Sequence, residues 1–187
     1  RFRAGTARRD MAILYRSNAQ SRVLEEALLR AQIPYRIYGG LRFFERAEIK
    51  NAVGYLRLMQ QRDDDTAFER VVNTPTRGIG DKTLELLRQV TREEKISLWA
   101  AAEAVLKGKL MPTLASSKLA AFLQLIETLD ANTRDVPLGE LIEAVIEQSG
   151  LVLHHQKEKG EKGQARVENL RELISAAREF EVEDDEA

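Results

Sequence analysis

The feature that most constrains the fold of this chain is the spacing of its apolar residues beyond Gly40. From residue 45 to residue 180 they recur at intervals of three and four positions in one segment after another. One clear stripe is Ile49, Val53, Leu56 and Met59. This interval places apolar side chains on one face of an α-helix. The sequence therefore predicts a mostly α-helical body.

Turn and capping residues divide this body into separate helices. We expect a short helix through Phe68 that is capped by Asp64 or Asp65, because aspartate accepts hydrogen bonds from amides at a helix N-terminus. The other predicted helices share the amphipathic pattern and cover residues 45–60, 81–90, 97–108, 116–129, 138–148 and 165–180. The charged, glycine-containing segment 157–163 is the clearest internal loop.

The N-terminal part of the chain follows a different pattern. Residues 11–15 form an apolar run of strand length, and a helical stripe over 23–31 follows it. Pro34 stops that helix, and residues 35–38 make a second candidate strand. This order predicts a compact βαβ unit with two parallel strands. Two strands are not a stable sheet alone, and the chain lacks an initiator Met, so we expect a piece of a longer protein.

Several classes of protein are excluded by composition. The chain has no cysteine, which rules out a disulfide scaffold, a thiol nucleophile and a thiolate zinc site. His154 and His155 are the only histidines, so we expect no metal site and interpret both as surface or capping residues. No apolar run approaches the roughly 18 residues needed to cross a bilayer, and no signal peptide opens the chain. We expect a soluble, cytoplasmic protein without a membrane partner.

The charged residues are unevenly distributed. The chain has 29 basic and 30 acidic residues, with a formal net charge of −1. Six of the acids and no base lie from Glu179 onward, which leaves 24 acids against 29 bases before that point. We interpret residues 181–187 as a solvated acidic tail and residues 1–10 as a polar leader or linker. The body between them is mildly basic, which is compatible with a phosphate backbone as partner.

The most informative stretch covers residues 73–83, reads NTPTRGIGDKT and lies between two predicted helices. Gly78 and Gly80 permit positive φ and a close approach of backbone to ligand, and Ile79 between them is expected to anchor the loop in the core. The amides that follow open a helix at its N-terminus, where unpaired N–H groups and the helix dipole favour an anion. This is the pattern of a helix-hairpin-helix, which holds DNA phosphates without reading bases.

Two interpretations of this loop remain open. In the first, which we favour, Lys82 and Thr83 add a charge and a hydroxyl to a phosphate site; in the second, the loop is only a tight turn between helices.

A nucleotide-binding P-loop is excluded, because Asp81 and Thr76 stand where that motif requires glycine. A base-excision glycosylase is disfavoured, because residues 98–101 lack a catalytic carboxylate.

A second basic locus lies where the last predicted helix begins. Lys159, Lys162 and Arg166 stand there with Lys157, around two glycines. They predict either a further phosphate contact at a helix N-terminus or a solvated loop, in which the interleaved acids Glu158 and Glu161 balance the charge. The residues alone favour neither.

Five segments, in order, make the chain similar to a known family. They read AILYRSNAQSR (12–22), PYRIYGG (34–40), FFER (43–46), NTPTRGIG (73–80) and EKGQARVENL (161–170). Together they resemble superfamily 1 DNA helicases of the UvrD/Rep/PcrA type. The resemblance covers nearly the whole chain and rests on several ordered motifs.

The resemblance implies a domain organisation. In that family, two RecA-like motor domains hydrolyse ATP and step along single-stranded DNA, and each has an inserted accessory domain. Residues 11–40 would begin the second motor domain, and residues 41–180 would be its helical insertion, the 2B subdomain. The ATP-site motifs of the family lie outside this chain. ATP and Mg²⁺ would therefore serve the whole bacterial enzyme, and the piece alone would hydrolyse nothing.

The resemblance also implies a function. The 2B subdomain would grip duplex DNA at a single-strand/duplex junction, within a 3′→5′ helicase of excision repair, mismatch repair and replication. Its partners would be its own motor domains and DNA repair proteins. The implied DNA contacts are Thr76, Arg77, Gly78, Ile79, Gly80, Lys82, Thr83, Lys159, Lys162 and Arg166. The alternative is an autoinhibitory or protein-interaction domain that regulates the motor.

Overall fold

The computed structural model describes residues 7–37 and 40–185, and in these residues it contains nine α-helices and no β-strand. The helices are α1 (Ser21–Arg30), α2 (Ala47–Gln60), α3 (Asp65–Val71), α4 (Asp81–Glu94), α5 (Leu98–Lys107), α6 (Thr113–Asn132), α7 (Leu138–Gln148), α8 (Leu151–Gln156) and α9 (Glu161–Asp185). The prediction of a mostly α-helical body is confirmed. None of the helices in the described part of the chain combines the length and apolar character of a membrane span.

Local capping explains several of the helix boundaries. Asp64 caps α3 by accepting a hydrogen bond from the Ala67 amide at 2.9 Å, and Ser97 caps α5 through the Ala100 amide at 3.3 Å. The C-cap of α4 is Lys95, in the left-handed region at φ 54°. The prediction for α7 matches its observed bounds, and the helices predicted at 116–129 and 165–180 are longer in the structure.

The predicted βαβ unit is wrong for the described residues. Residues 11–15 and 33–37 have no regular secondary structure and form no strand, and Tyr38 and Gly39 lie outside the described residues. Leu14 is 94% exposed and Ile13 is 55% exposed, so the first segment has no sheet against which to pack. A strand requires a neighbour for its backbone groups, and an isolated pair is at best marginally stable.

Helix α1 also differs from the sequence prediction, because its buried face is polar and not apolar. Ser21, Arg22 and Glu25 are buried, whereas Val23 of the predicted apolar stripe is exposed. The Arg22 guanidinium donates to Glu172 of α9 at 2.7 Å and also pairs with Glu26 and Glu179. Charge pairing, rather than apolar packing, therefore attaches α1 to α9.

Most of the core lies among the central helices. Phe68 of α3 makes edge-to-face contacts with Trp99 of α5 and Phe122 of α6, at ring-centroid distances of 6.5 and 5.6 Å. Tyr55 and Leu58 of α2 are fully buried beside them. The interpretation of Trp99 as a core residue is confirmed, while Tyr35, assigned to the core with Tyr38, is only half-buried.

The acidic end of the chain is more ordered than the tail that the sequence predicts. Helix α9 continues to Asp185. Glu179 pairs with Arg22 at 2.7 Å, and the Glu181 carboxylate accepts hydrogen bonds from the amides of Leu138 and Gly139. Glu181 therefore caps α7, whose N-terminus lacks a side-chain cap of its own.

Candidate nucleic-acid interface

The connection between α3 and α4 is a loop braced from within, which we call the GIG loop (residues 73–80). The Asn73 side chain accepts hydrogen bonds from the Arg77 amide at 2.7 Å and the Ile79 amide at 3.3 Å. Ile79 is 1% exposed and packs in the core, as the sequence predicts. Asn73 was not predicted to have this role, although asparagine commonly bonds to the backbone of a turn. The loop is thus held by the hydrogen bonds of Asn73 and by the burial of Ile79 in the core.

The Arg77 side chain turns inward and braces the same loop. Its guanidinium donates to the carbonyl oxygens of Val71 and Pro75, both at 3.1 Å, and of Ser149 at 2.8 Å. It also donates to the Tyr55 hydroxyl at 2.6 Å. These bonds occupy the guanidinium, so we remove Arg77 from the set of candidate DNA contacts.

Tyr55 completes this internal network beneath the loop. Its hydroxyl donates to the Thr74 carbonyl at 2.6 Å. Burial raises the pKa of Tyr55 to about 12, against the opposing effect of Arg77. The phenol therefore remains a hydrogen-bond donor throughout the physiological pH range, and the loop keeps its shape.

The start of α4 presents a set of unpaired backbone amides. The amides of Thr83 and Leu84 bond to the Gly80 carbonyl at 3.0 and 3.2 Å. Four other N–H groups find no acceptor among the described residues, and we call them the amide cluster: Gly78, Gly80, Asp81 and Lys82. Helix-terminal amides of this kind, at the positive end of a helix dipole, favour an anion.

The two glycines of the loop have different roles. Gly78 has φ +74°, a conformation that L-residues with a Cβ rarely adopt. Gly80 has φ −92° and ψ −178°, which is extended backbone, and a Cβ there would meet nothing within 4 Å. The prediction that both glycines supply positive φ is wrong for Gly80. Gly80 instead occupies the N-cap position of α4 with open space around it.

The predicted polar side chains lie at the outer side of the loop. Thr76 and Lys82 are exposed and Thr83 is half-buried. Lys82 makes no ion pair with any described residue. The exposed Asp81 shares the first turn of α4, where a carboxylate stabilises the helix and reduces the net positive charge of the site.

A lysine that the sequence did not indicate approaches the loop from α6. Lys118 lies with its Nζ over Gly78, so close that a Cβ on Gly78 would overlap it, and Lys118 Cε would be 3.2 Å from that Cβ. The two residues are 40 positions apart. Sequence spacing contains no signal for this approach, because it depends on how α6 packs beside the loop.

Three of the four cations of the second basic locus make no ion pair with a described residue. Lys157, Lys159 and Lys162 are exposed, but Arg166 donates hydrogen bonds to both Glu158 oxygens, at 2.6 and 2.8 Å, and lies 4.0 Å from Glu48. Arg166 therefore joins the second basic locus to the fold, and we remove it from the candidate contacts.

The two loci are neighbours along the fold. Pro75 of the GIG loop lies 3.8 Å from where a Cβ of Gly150 would stand, and Gly150 is the N-cap residue of α8. The six residues of α8 span about 9 Å, and Lys159 stands three positions after the last of them.

Among the described residues, His154, His155 and Glu158 bring potential metal-ligand atoms within 4.8 Å of one another. His155 is buried, contrary to the sequence interpretation, and its Nδ1 lies 2.9 Å from Glu158. Since Arg166 occupies both Glu158 oxygens, we assign the cluster to the attachment of α8 to α9.

Comparison with known proteins identifies the family. Residues 3–187 match the UvrD-like helicase C-terminal domain. The chain belongs to this family. It is 57% identical to DNA helicase II of Escherichia coli K12 over 94% of the chain and 24% of that relative. It is also 57% identical to DNA helicase II of Haemophilus influenzae, over 91% of the chain and 24% of the relative.

A more distant relative also matches nearly the whole chain with about a quarter of its own length. The chain is 38% identical to the ATP-dependent DNA helicase UvrD1 of Mycobacterium tuberculosis H37Rv, over 95% of the chain and 23% of that protein. The chain thus spans about a quarter of the length of these relatives. The resemblance inferred from the five sequence segments is confirmed at the level of the family.

Proposed function

We propose that this chain is the duplex-DNA-binding accessory region of an ATP-dependent 3′→5′ DNA helicase that serves excision repair, mismatch repair and replication. Residues 11–40 would belong to the second motor domain and residues 41–180 to the 2B subdomain. Support comes from membership of the UvrD-like helicase C-terminal domain family and from relatives named DNA helicases. ATP and Mg²⁺ would act in the whole protein, at motor motifs absent from these residues.

The single observation behind the DNA-binding role is the amide cluster beside Lys82. In a helix-hairpin-helix of this geometry, the amides at the start of α4 hold one phosphate oxygen and the Lys82 ammonium supplies the opposite charge. The Thr83 hydroxyl adds a neutral hydrogen bond. Such a contact is made to the backbone and not to base edges, so binding is independent of sequence. That property suits a domain that must hold whatever duplex lies ahead of a fork.

A second candidate function rests on a different surface. An apolar groove of about 380 Å³ lies between α1, α7 and α9, and Phe44, Leu138 and Phe180 contribute exposed side chains to it. Exposed apolar surface of this kind is typical of a protein contact. The corresponding function is a protein-interaction or autoinhibitory domain, whose partner is the protein's own motor or a repair protein.

Duplex binding by the isolated chain distinguishes these functions. Lys82→Ala should weaken binding to a short duplex by about three- to tenfold at low salt, because one phosphate contact is lost. Thr83→Ala should have a smaller effect, because a neutral hydrogen bond contributes about 1 kcal/mol. Fluorescence anisotropy with two duplexes of unrelated sequence measures both effects and should give the same ratio for each.

A matched control separates a specific contact from a general loss of charge. Arg92 is exposed in the last turn of α4, about 17 Å along the helix from Asp81, so Arg92→Ala removes the same charge away from the loop. We expect less than about a twofold change for this variant. If the wild-type chain binds no duplex at low salt, the protein-interaction function is favoured instead.

A further inference from the structure

Lys118 occupies a position that only a glycine at residue 78 permits. A Cβ on Gly78 would overlap the Lys118 ammonium, so any other residue there would push the lysine away. Positive φ is a separate reason for glycine at this position. Gly78 thus serves two purposes: it forms the turn, and it opens the space into which α6 extends a cation.

No described residue compensates the positive charge of Lys118. The side chain is half-buried and makes no hydrogen bond or ion pair with any residue that the structure describes. It lies over the loop that ends at the positive end of α4, where the amide cluster and Lys82 are also found. A cation is destabilising at a helix N-terminus, where an anion is stabilising. The lysine, the amides and the helix dipole are all complementary to one negatively charged group.

We infer that Lys118 is a direct phosphate ligand, which completes the proposed DNA site from a second helix. This inference rests on the proposed function: the phosphate is that of the duplex backbone held at the GIG loop. The amide cluster and Lys82 contact it from α4, and the Lys118 ammonium contacts it from α6. The site is therefore assembled by tertiary packing between segments 40 residues apart.

The rival explanation is that the Lys118 methylene stem packs on the loop while its charge is only solvated. Two substitutions separate the roles of charge and stem. Lys118→Gln keeps a polar side chain of similar reach but removes the charge, and Lys118→Arg keeps the charge. Arg92→Ala again serves as the control, because it removes one positive charge away from the loop.

The experiment measures duplex affinity by fluorescence anisotropy over a series of salt concentrations, with the intact chain. Lys118→Ala and Lys118→Gln should both weaken binding by about three- to tenfold at low salt and lower the slope of log K against log salt by about one. Lys118→Arg should retain binding to within about twofold, because it keeps the positive charge. Melting of the free Lys118→Ala chain should occur at the wild-type temperature or above it, because an unfavourable charge is removed.

Three results decide the inference. If Lys118→Gln binds with wild-type affinity and slope while Lys82→Ala is weakened, Lys118 is not a ligand and the proposed function stands. If Lys118→Ala lowers the melting temperature of the free chain without changing the salt slope, the lysine only packs and the inference is wrong. If neither Lys82→Ala nor Lys118→Ala changes duplex binding, the inference and the proposed DNA site fail together.

Discussion

At the scale of single residues, the GIG loop combines groups that brace it with groups that are free to bind. Asn73 and Arg77 use their side chains to hold the loop from inside. The amide cluster and Lys82 face no partner in the described residues. This division follows from hydrogen-bond accounting, since buried polar groups must be paired while exposed ones remain available. A basic residue in such a loop is therefore not by itself a DNA contact.

The two glycines provide a matched test of this geometry. Gly78→Ser places a Cβ at φ +74° and should destabilise the chain by about 1–2 kcal/mol. Gly80→Ser introduces a favoured N-cap residue at extended φ in open space, so stability should be unchanged or slightly higher. Urea unfolding followed by circular dichroism measures both. Equal destabilisation by the two variants would contradict the assignment of positive φ to Gly78 alone.

At the scale of elements, helical periodicity predicted the long amphipathic helices but not the short or polar ones. The helices with long apolar stripes were found from sequence, and Asp64 and Ser97 marked their starts correctly. Helix α8 was missed, because its six residues are too few to show a period. The buried face of α1 was also missed, because it is made by Arg22 and its carboxylate partners and not by apolar residues.

The candidate site was predictable to a similar, limited extent. The glycine spacing and the burial of Ile79 could be predicted from the local sequence, because a loop between two helices is a local structure. The inward turn of Arg77 and the approach of Lys118 depend on α2, α6 and α7 packing around the loop. Contacts between distant segments leave no mark in residue spacing.

The attachment of α8 to α9 should depend on pH. Burial acts to raise the pKa of Glu158, but hydrogen bonds with His155 and Arg166 outweigh it and hold this pKa below its usual value. A carboxyl with a depressed folded-state pKa stabilises the fold above its unfolded pKa of about 4.3, and this stabilisation is lost as the pH falls. His154, 3.8 Å away, faces the same carboxylate.

Thermal melting of wild type and Glu158→Gln between pH 7 and pH 3 tests this attachment. The wild type should melt at the higher temperature above about pH 4.3, and the difference should shrink as the pH falls, because protonation removes the same charge as the substitution. Glu143→Gln changes an exposed carboxylate that pairs with Arg178 of α9, and it serves as the control. A difference that stays constant down to pH 3 would show that the ionised Glu158 does not stabilise the fold.

At the scale of the whole molecule, charge and packing suggest a division of roles. The GIG loop and the second basic locus are joined through Gly150 and the short helix α8. The apolar groove is formed by α1, α7 and α9, which do not include the loop. We propose that duplex DNA is bound along the first surface and that a protein partner, including the motor, contacts the second.

We propose that backbone amides at the start of α4 hold a duplex phosphate. The most direct measurement is a titration of the ¹⁵N-labelled chain with a short duplex, followed by amide chemical shifts at low and high salt. We expect the largest shifts at Gly78, Gly80, Asp81 and Lys82. The amide of Lys95 at the far end of α4 should be unaffected, and added salt should reverse the shifts. Binding that shifts other amides and leaves these four unchanged would contradict the proposal.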